Sequence, residues 1–213
     1  MISPPSLSEG GRGVRSLMPK RTATVQRKTT ETDIALSLTL DGSGTYRTDT
    51  GVGFFDHMLS AFARHGLFDL EVTCKGDLRV DAHHTVEDVG ICLGQALALA
   101  LGDKAGVARF GHSYVPMDES LARAVVDLSG RSYLVCNAAF AEERIGDFPT
   151  ALAREFFQAV ADNARANVHL DLIRCGNAHH GVEALFKALG RALGRACALD
   201  PRIRGPLSTK GSL

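Results

Sequence analysis

Asp81-Ala-His-His-Thr-Val-Glu87 and Asn177-Ala-His-His-Gly-Val-Glu183 are two versions of one heptapeptide, identical at Ala, both histidines, Val and Glu. His179 follows His83 by 96 positions. Each copy opens a long apolar stretch of helical period, 85–101 and 182–199, and each follows an alternating, strand-like segment, 67–74 and 168–174. Helical patterns at 54–65 and 151–166 precede those strands. The order helix, strand, motif, helix thus occurs twice, which marks a duplicated unit. The expected class is α+β: two similar halves, about 21–105 and 106–200, each a small mixed sheet with two helices on one face, with the helices packed between the sheets.

Outward from this frame, strands are expected at 22–26 and 33–40, with a hairpin turning at Asp41-Gly42. In the second half they are expected at 108–115, 121–128 and 132–139, the last two joined by a short turn at Ser129-Gly130. Residues 1–20 read as a mobile extension without the apolar core of a secretory signal, and residues 201–213 as a basic tail rich in Pro and Gly.

The 213 residues are 45% hydrophobic and 23% charged, as in a folded globular chain of one domain or of two small halves sharing one core. Twenty-four Lys and Arg balance 24 Asp and Glu, so no global field attracts nucleic acid or an anionic membrane. Anion binding must be local. The five cysteines are odd in number, widely spaced and without a CxxC pair, which points to a reducing, cytoplasmic setting. No run of 18 apolar residues is present to form a membrane span.

On a helix, His at i and Glu at i+3 or i+4 share a face, so each motif can close an imidazole and a carboxylate on one ion. Adjacent histidines differ by about 100° around the axis. His83 and His84 therefore point to different centres, as do His179 and His180, and two ions are implied. Ligands of nitrogen and oxygen without thiolate suit Mn, Fe, Co or Zn. The plainer reading, polar residues at a helix start, suits one such motif better than two in register.

The residues also carry a family resemblance, through 21–34 (RTATVQRKTTETDI), 51–59 (GVGFFDHML), 81–97 (DAHHTVEDVGICLGQAL), 109–119 (RFGHSYVPMDE) and 177–193 (NAHHGVEALFKALGRAL). These segments resemble the imidazoleglycerol-phosphate dehydratases of histidine biosynthesis, in their monofunctional form. The resemblance covers about 21–210 and implies the ribosomal S5 domain 2-like fold. It further implies a cytoplasmic hydro-lyase that converts D-erythro-imidazole glycerol phosphate to imidazole acetol phosphate, a homo-oligomer of 24 subunits with shared metal sites, and two divalent ions per active site, Mn2+ foremost. The metal ligands it implies are His57, His83, His84, Glu87, His179, His180 and Glu183, with Glu155 as an eighth where many relatives carry His. A carboxylate can replace imidazole on such a cation, although Glu155 also reads as a solvated helix residue.

The same resemblance places Arg109, Arg131, Lys187, Ser208 and Lys210 on the substrate phosphate, where guanidinium and ammonium groups form charge-assisted bonds. Lys187 is also four residues after Glu183, on its helical face. Glu31 is implied as acid/base, and His65 with His57, His83 and His179 as substrate-lining residues. The proton to be removed has no neighbouring carbonyl to acidify it. Ions on both ring nitrogens would hold the ring as imidazolate and let it accept the electrons as a diazafulvene-like intermediate. Asp118 and Glu119 read as groups that orient cations or ligands, and His112 and His169 as ordinary strand histidines. Two rival readings are a dinuclear metallohydrolase acting on a phosphorylated small molecule, which would release phosphate, and a non-enzymatic metal- or RNA-binding module.

Overall fold

The structure is a computed structural model that describes residues 21–212. The extension at 1–20 lies outside the described residues. The first half runs β1 (Thr22–Lys28), β2 (Thr32–Thr39), β3 (Tyr46–Asp49), α1 (Gly53–Gly66), β4 (Asp69–Gly76) and α2 (His83–Leu101). The second runs β5 (Phe110–Met117), β6 (Ser120–Asp127), β7 (Tyr133–Asn137), a small hairpin of β8 (Arg144–Ile145) and β9 (Phe148–Pro149), α3 (Leu152–Ala164), β10 (Asn167–Arg174) and α4 (Ala178–Cys197). The sheets have orders β1-β2-β4-β3 and β5-β6-β10-β7, the same arrangement in both halves. In each, the first three strands are antiparallel neighbours and the fourth pairs in parallel with the third.

Two expected hairpins are absent. After Asp41-Gly42 the chain does not return along β2, because β4 occupies that edge and β3 lies beyond it. Likewise β6 and β7 are separated by β10, so Ser129-Gly130 belongs to an arch over the β10 start and Arg131 is not at a hairpin. The physical reason is the same in both. The late strand carries the alternating apolar face (Leu70 and Val72; Val168 and Leu170) that needs burial on the sheet interior, so it takes the central place. Arg109, expected within a strand, precedes β5 with φ of 71°.

The duplication reaches the helix ends. α1 and α3 both stop at a left-handed residue, Leu67 and Arg165, and the following N–H reaches back five residues, from Phe68 to Ala63 and from Ala166 to Ala161. The helices of one half pack on those of the other, α1 on α4 and α2 on α3, between the two sheets. Glycines permit the close crossings. A Cβ on Gly190 would lie 2.4 Å from the Phe62 carbonyl oxygen, and one on Gly94 would lie 2.8 Å from that of Val160. Phe55, Phe156, Phe157 and Phe186 fill the centre, with rings of Phe156 and Phe186 stacked at 5.0 Å. Among the described residues no helix is long and apolar enough to cross a membrane.

Candidate active site

Both motifs sit where a helix begins, as their periodicity requires, and their first residues serve the exposed backbone donors. Asn177 Oδ1 accepts the N–H groups of His179 and His180, and Asp81 Oδ1 that of His83 at 2.7 Å. From this start the adjacent histidines diverge, with ring planes 83° apart for His83 and His84 and 85° for His179 and His180. The i+4 carboxylate serves the first histidine of each pair. His179 Nε2 lies 3.2 Å from Glu183 Oε2, and His83 Nε2 lies 3.8 Å from Glu87 Oε2.

The α1–α4 crossing completes the first cluster. His57 on α1 reaches Glu183 Oε2 with its Nε2 at 3.0 Å, so two imidazoles from different helices converge on one carboxylate oxygen. Ligand atoms of His57, His179 and Glu183 all lie within 4.8 Å of one another. Lys187 binds the other oxygen, Oε1, at 2.6 Å. Glu183 is only 6% exposed. Burial pushes its carboxyl up, but the Lys187 ammonium and His57 outweigh that and leave it below the ordinary carboxylate range. Phe54 packs edge-on against His179 and fixes its ring.

The second histidine of each pair is held by a carboxylate that the motif does not contain. His84 Nδ1 lies 3.0 Å from Asp77, and His180 Nδ1 lies 3.0 Å from Glu119. With Nδ1–H donated, Nε2 keeps its lone pair for an ion. The bond to Asp77 raises the affinity of His84 for a proton, and the bond from His180 holds Glu119 down to about 2. Glu31 Oε1 is 3.7 Å from His84 Nε2, and Asp118 is 3.9 Å from His180 Nε2. Asp118, Glu119 and His180 form a second group able to hold a cation. Asp77 was not anticipated; the signal was available, since a ligating imidazole needs a partner on its other nitrogen and an acid stands seven residues upstream. Glu155 meets Arg154 at 3.8 Å and, like His83 and Glu87, belongs to neither three-membered group. Its helix nonetheless crosses α2, with the neighbouring Phe156 carbonyl against Gly90, one turn beyond Glu87.

Arg109, Arg131, Ser208 and Lys210 line one cavity of about 800 Å3, shared with Arg202 and Arg204. Arg109 is held by Asp127 through bonds of 2.7 and 3.1 Å, and it donates to the Leu207 carbonyl, which ties the tail to the sheet. Lys187 is not in this cavity. His65 lines a separate hollow near Arg191 and Arg195, where burial and the charges of Lys187 and Arg191 lower its proton affinity. His112 and His169 stand on the exposed faces of β5 and β10.

The cationic cavity and the histidine clusters lie at opposite ends of α4. Arg109 N–H binds the carbonyl of Ala196, 17 residues beyond His179. At 1.5 Å per residue that is roughly 25 Å along the helix.

The sequence model of the family described as imidazoleglycerol-phosphate dehydratase matches residues 50–193. A protein of that name from Salinibacter ruber is 60% identical over 193 residues, spanning 91% of this chain and 96% of the relative. Another, from Aminomonas aminovorus, is 56% identical over 194 residues, 91% of this chain and 100% of the relative. The crystal structure of the Staphylococcus aureus imidazoleglycerol-phosphate dehydratase is similar with a TM-score of 0.77 and 45% identity, covering 84% of this chain and 99% of that one. The Pyrococcus furiosus enzyme in complex with (S)-C348 gives the same TM-score at 37% identity, covering 89% and 100%. With both motifs inside the matched region and relatives covered nearly end to end, the chain belongs to the imidazoleglycerol-phosphate dehydratase family, hydro-lyases of histidine biosynthesis.

Proposed function

We propose that this protein dehydrates D-erythro-imidazole glycerol phosphate to imidazole acetol phosphate with two divalent ions, Mn2+ foremost, in sites shared between subunits of a cytoplasmic homo-oligomer of 24 chains. The observation that carries the reading is the convergence of His57 Nε2 and His179 Nε2 on Glu183 Oε2, at 3.0 and 3.2 Å, in one of two duplicated HHxxE helices. Imidazole nitrogens and a buried carboxylate fit a borderline divalent cation. His57, His179 and Glu183 would hold one ion. By the duplicated helix crossings, His83, Glu87 and Glu155 would serve the second, and His84 and His180, each held through Nδ1, would supply further ligands.

When bound, the ions act as Lewis acids on the imidazole ring of the substrate and draw electron density from the carbon that loses its proton. Glu31 stands beside His84 Nε2 and carries the proton at a carboxylate oxygen, as base toward the carbon and as acid toward the departing hydroxyl. Lys187 holds the free oxygen of Glu183 and keeps that carboxylate charged. Arg109, Arg131, Ser208 and Lys210 bind the phosphate in their cavity. The span of roughly 25 Å along α4 exceeds the length of a substrate of this size. The phosphate groups of one chain must then act with the metal groups of another, which supports a shared site.

The test is anaerobic reconstitution of stripped protein with Mn2+, followed by detection of product. Imidazole acetol phosphate, with phosphate retained, is expected. Release of inorganic phosphate, or turnover undiminished without metal, would overturn the proposal.

A further inference from the structure

The Leu128–Arg131 arch forms one wall of the cationic cavity, and the groups that hold it from behind do not line that cavity. Because β10 separates β6 from β7, the chain between them must cross the start of β10. Asn167, the first residue of β10, props the crossing: its Nδ2 donates to Ser129 Oγ at 3.0 Å and to the Arg131 carbonyl at 2.7 Å. Lys104, only 9% exposed, donates from Nζ to the Leu128 carbonyl at 3.0 Å. The Leu128 N–H donates to the carbonyl of Arg109 at 3.1 Å. The arch is thereby tied to Arg109 on one side and to the sheet on the other.

The first half contains the same crossing with different chemistry. Residues 40–45 pass over the start of β4, and Asp69, its first residue, accepts the N–H groups of Ser43 and Thr45 at 2.8 and 3.1 Å. Asp69 pairs with the last residue of β2 as Asn167 pairs with the last residue of β6. A carboxylate thus props the arch that carries no cation, whereas a neutral carboxamide and a buried ammonium prop the arch that carries Arg131. Asp127, which pairs with Asn167 at the end of β6, is engaged by Arg109.

We infer that Asn167 and Lys104 are positioning residues for anion recognition, holding the Leu128–Arg131 arch so that Arg131 meets a phosphate monoester that neither of them touches. The inference rests on the assignment of the cavity to the substrate phosphate, and the experiment separates the two. In metal-loaded enzyme, kcat, KM and competitive inhibition by inorganic phosphate are measured for Arg131→Ala, Asn167→Ala, their double variant and Lys104→Met. Arg131→Ala should raise KM and the phosphate inhibition constant at least about tenfold; no change there would remove the phosphate assignment itself. Asn167→Ala should raise both about fivefold or more with kcat within about twofold of the parent, because a lost prop weakens binding without touching the reacting carbon. The double variant should be no worse than Arg131→Ala alone, since Asn167 acts through Arg131. Lys104→Met should repeat the Asn167 pattern, and Asn167→Ala alone decides the matter if that buried variant does not fold. An unchanged phosphate inhibition constant in Asn167→Ala beside a raised one in Arg131→Ala, or additive effects in the double variant, would overturn the positioning role.

Discussion

Replacing Gly190 with alanine adds one methyl group at the α1–α4 crossing. Its Cβ would stand 2.4 Å from the Phe62 carbonyl oxygen and 3.2 Å from the Phe62 Cα, where ordinary contact begins at 3.4 Å. A helical backbone has no rotamer by which to move aside, so the helices must part by about 1 Å at this level. Overpacking this deep against rigid backbone falls in the upper part of the usual range, about 2–3 kcal/mol, and the helix propensity gained by alanine offsets about 1 kcal/mol. The net loss, about 1–2 kcal/mol, lowers the melting temperature by about 2–8 °C in a chain of this length. The crossing also sets the distance between His57 on α1 and His179 with Glu183 on α4, so metal affinity at that cluster should fall in parallel. Thermal unfolding of metal-stripped protein reads the first effect, and Mn2+ titration of the folded variant the second. Gly53→Ala, in α1 with nothing within 4 Å of the added Cβ, serves as the control and should melt at or slightly above the parent. A Gly190→Ala variant that melts at or above the parent temperature would refute the close-crossing argument.

Changing His83 or His84 singly to alanine should each remove about one bound ion and abolish turnover, since the two rings meet different carboxylates, Glu87 and Asp77; full occupancy and activity in both variants would sink the two-ion reading. Glu31→Gln should retain metal while turnover falls at least ~10²-fold, the lower range for a positioned acid/base; loss of metal instead would move Glu31 into the ligand shell. Asp77→Asn should weaken metal binding about 10- to 100-fold, the range for partners of ligating histidines, as read by titration against a competing chelator. His65, held below the ordinary imidazole range first by burial and then by Lys187 and Arg191, contributes stability that is present above the unfolded-state pKa of about 6.5 and is lost as pH falls below it. His65→Asn should therefore flatten the acid limb of stability in urea unfolding below pH about 6.5, and an unaltered slope would contradict the assignment.

The repeated heptapeptide carried most of what could be read in advance. Helix period and strand alternation are local properties, so α1, α2, α3, α4, β4 and β10 were legible to within a few residues, and the duplicated plan with them. Strand neighbours are not local. Asp41-Gly42 and Ser129-Gly130 have the chemistry of hairpin turns, but the partners of β2 and β6 are decided by β4 and β10, which arrive tens of residues later and claim the central positions. The four residues of β3 and the two-residue strands β8 and β9 were too short for a periodic signal. In the site, the i+4 pairing of His179 with Glu183 followed from spacing alone, whereas the meeting of His57 with Glu183 across 126 residues required the helix crossing. Of the carboxylates behind the second histidines, Glu119 was legible as a group that orients cations or ligands, but its pairing with His180 and the whole role of Asp77 were not. Asp77 comes from the segment just before its motif, Glu119 from the β5–β6 turn of the other strand pair, and no repeat in the sequence links them.

The central claim is that two HHxxE helices in one duplicated chain build a two-ion centre. Anomalous diffraction at the manganese edge from crystals of the Mn2+-reconstituted protein tests it most directly. The account predicts two peaks per chain, one in direct coordination with His57, His179 and Glu183 and the other with His83, Glu87 and Glu155, with His84 and His180 completing the sites through Nε2. A single peak, or metal confined to the Asp118, Glu119 and His180 group, would contradict it.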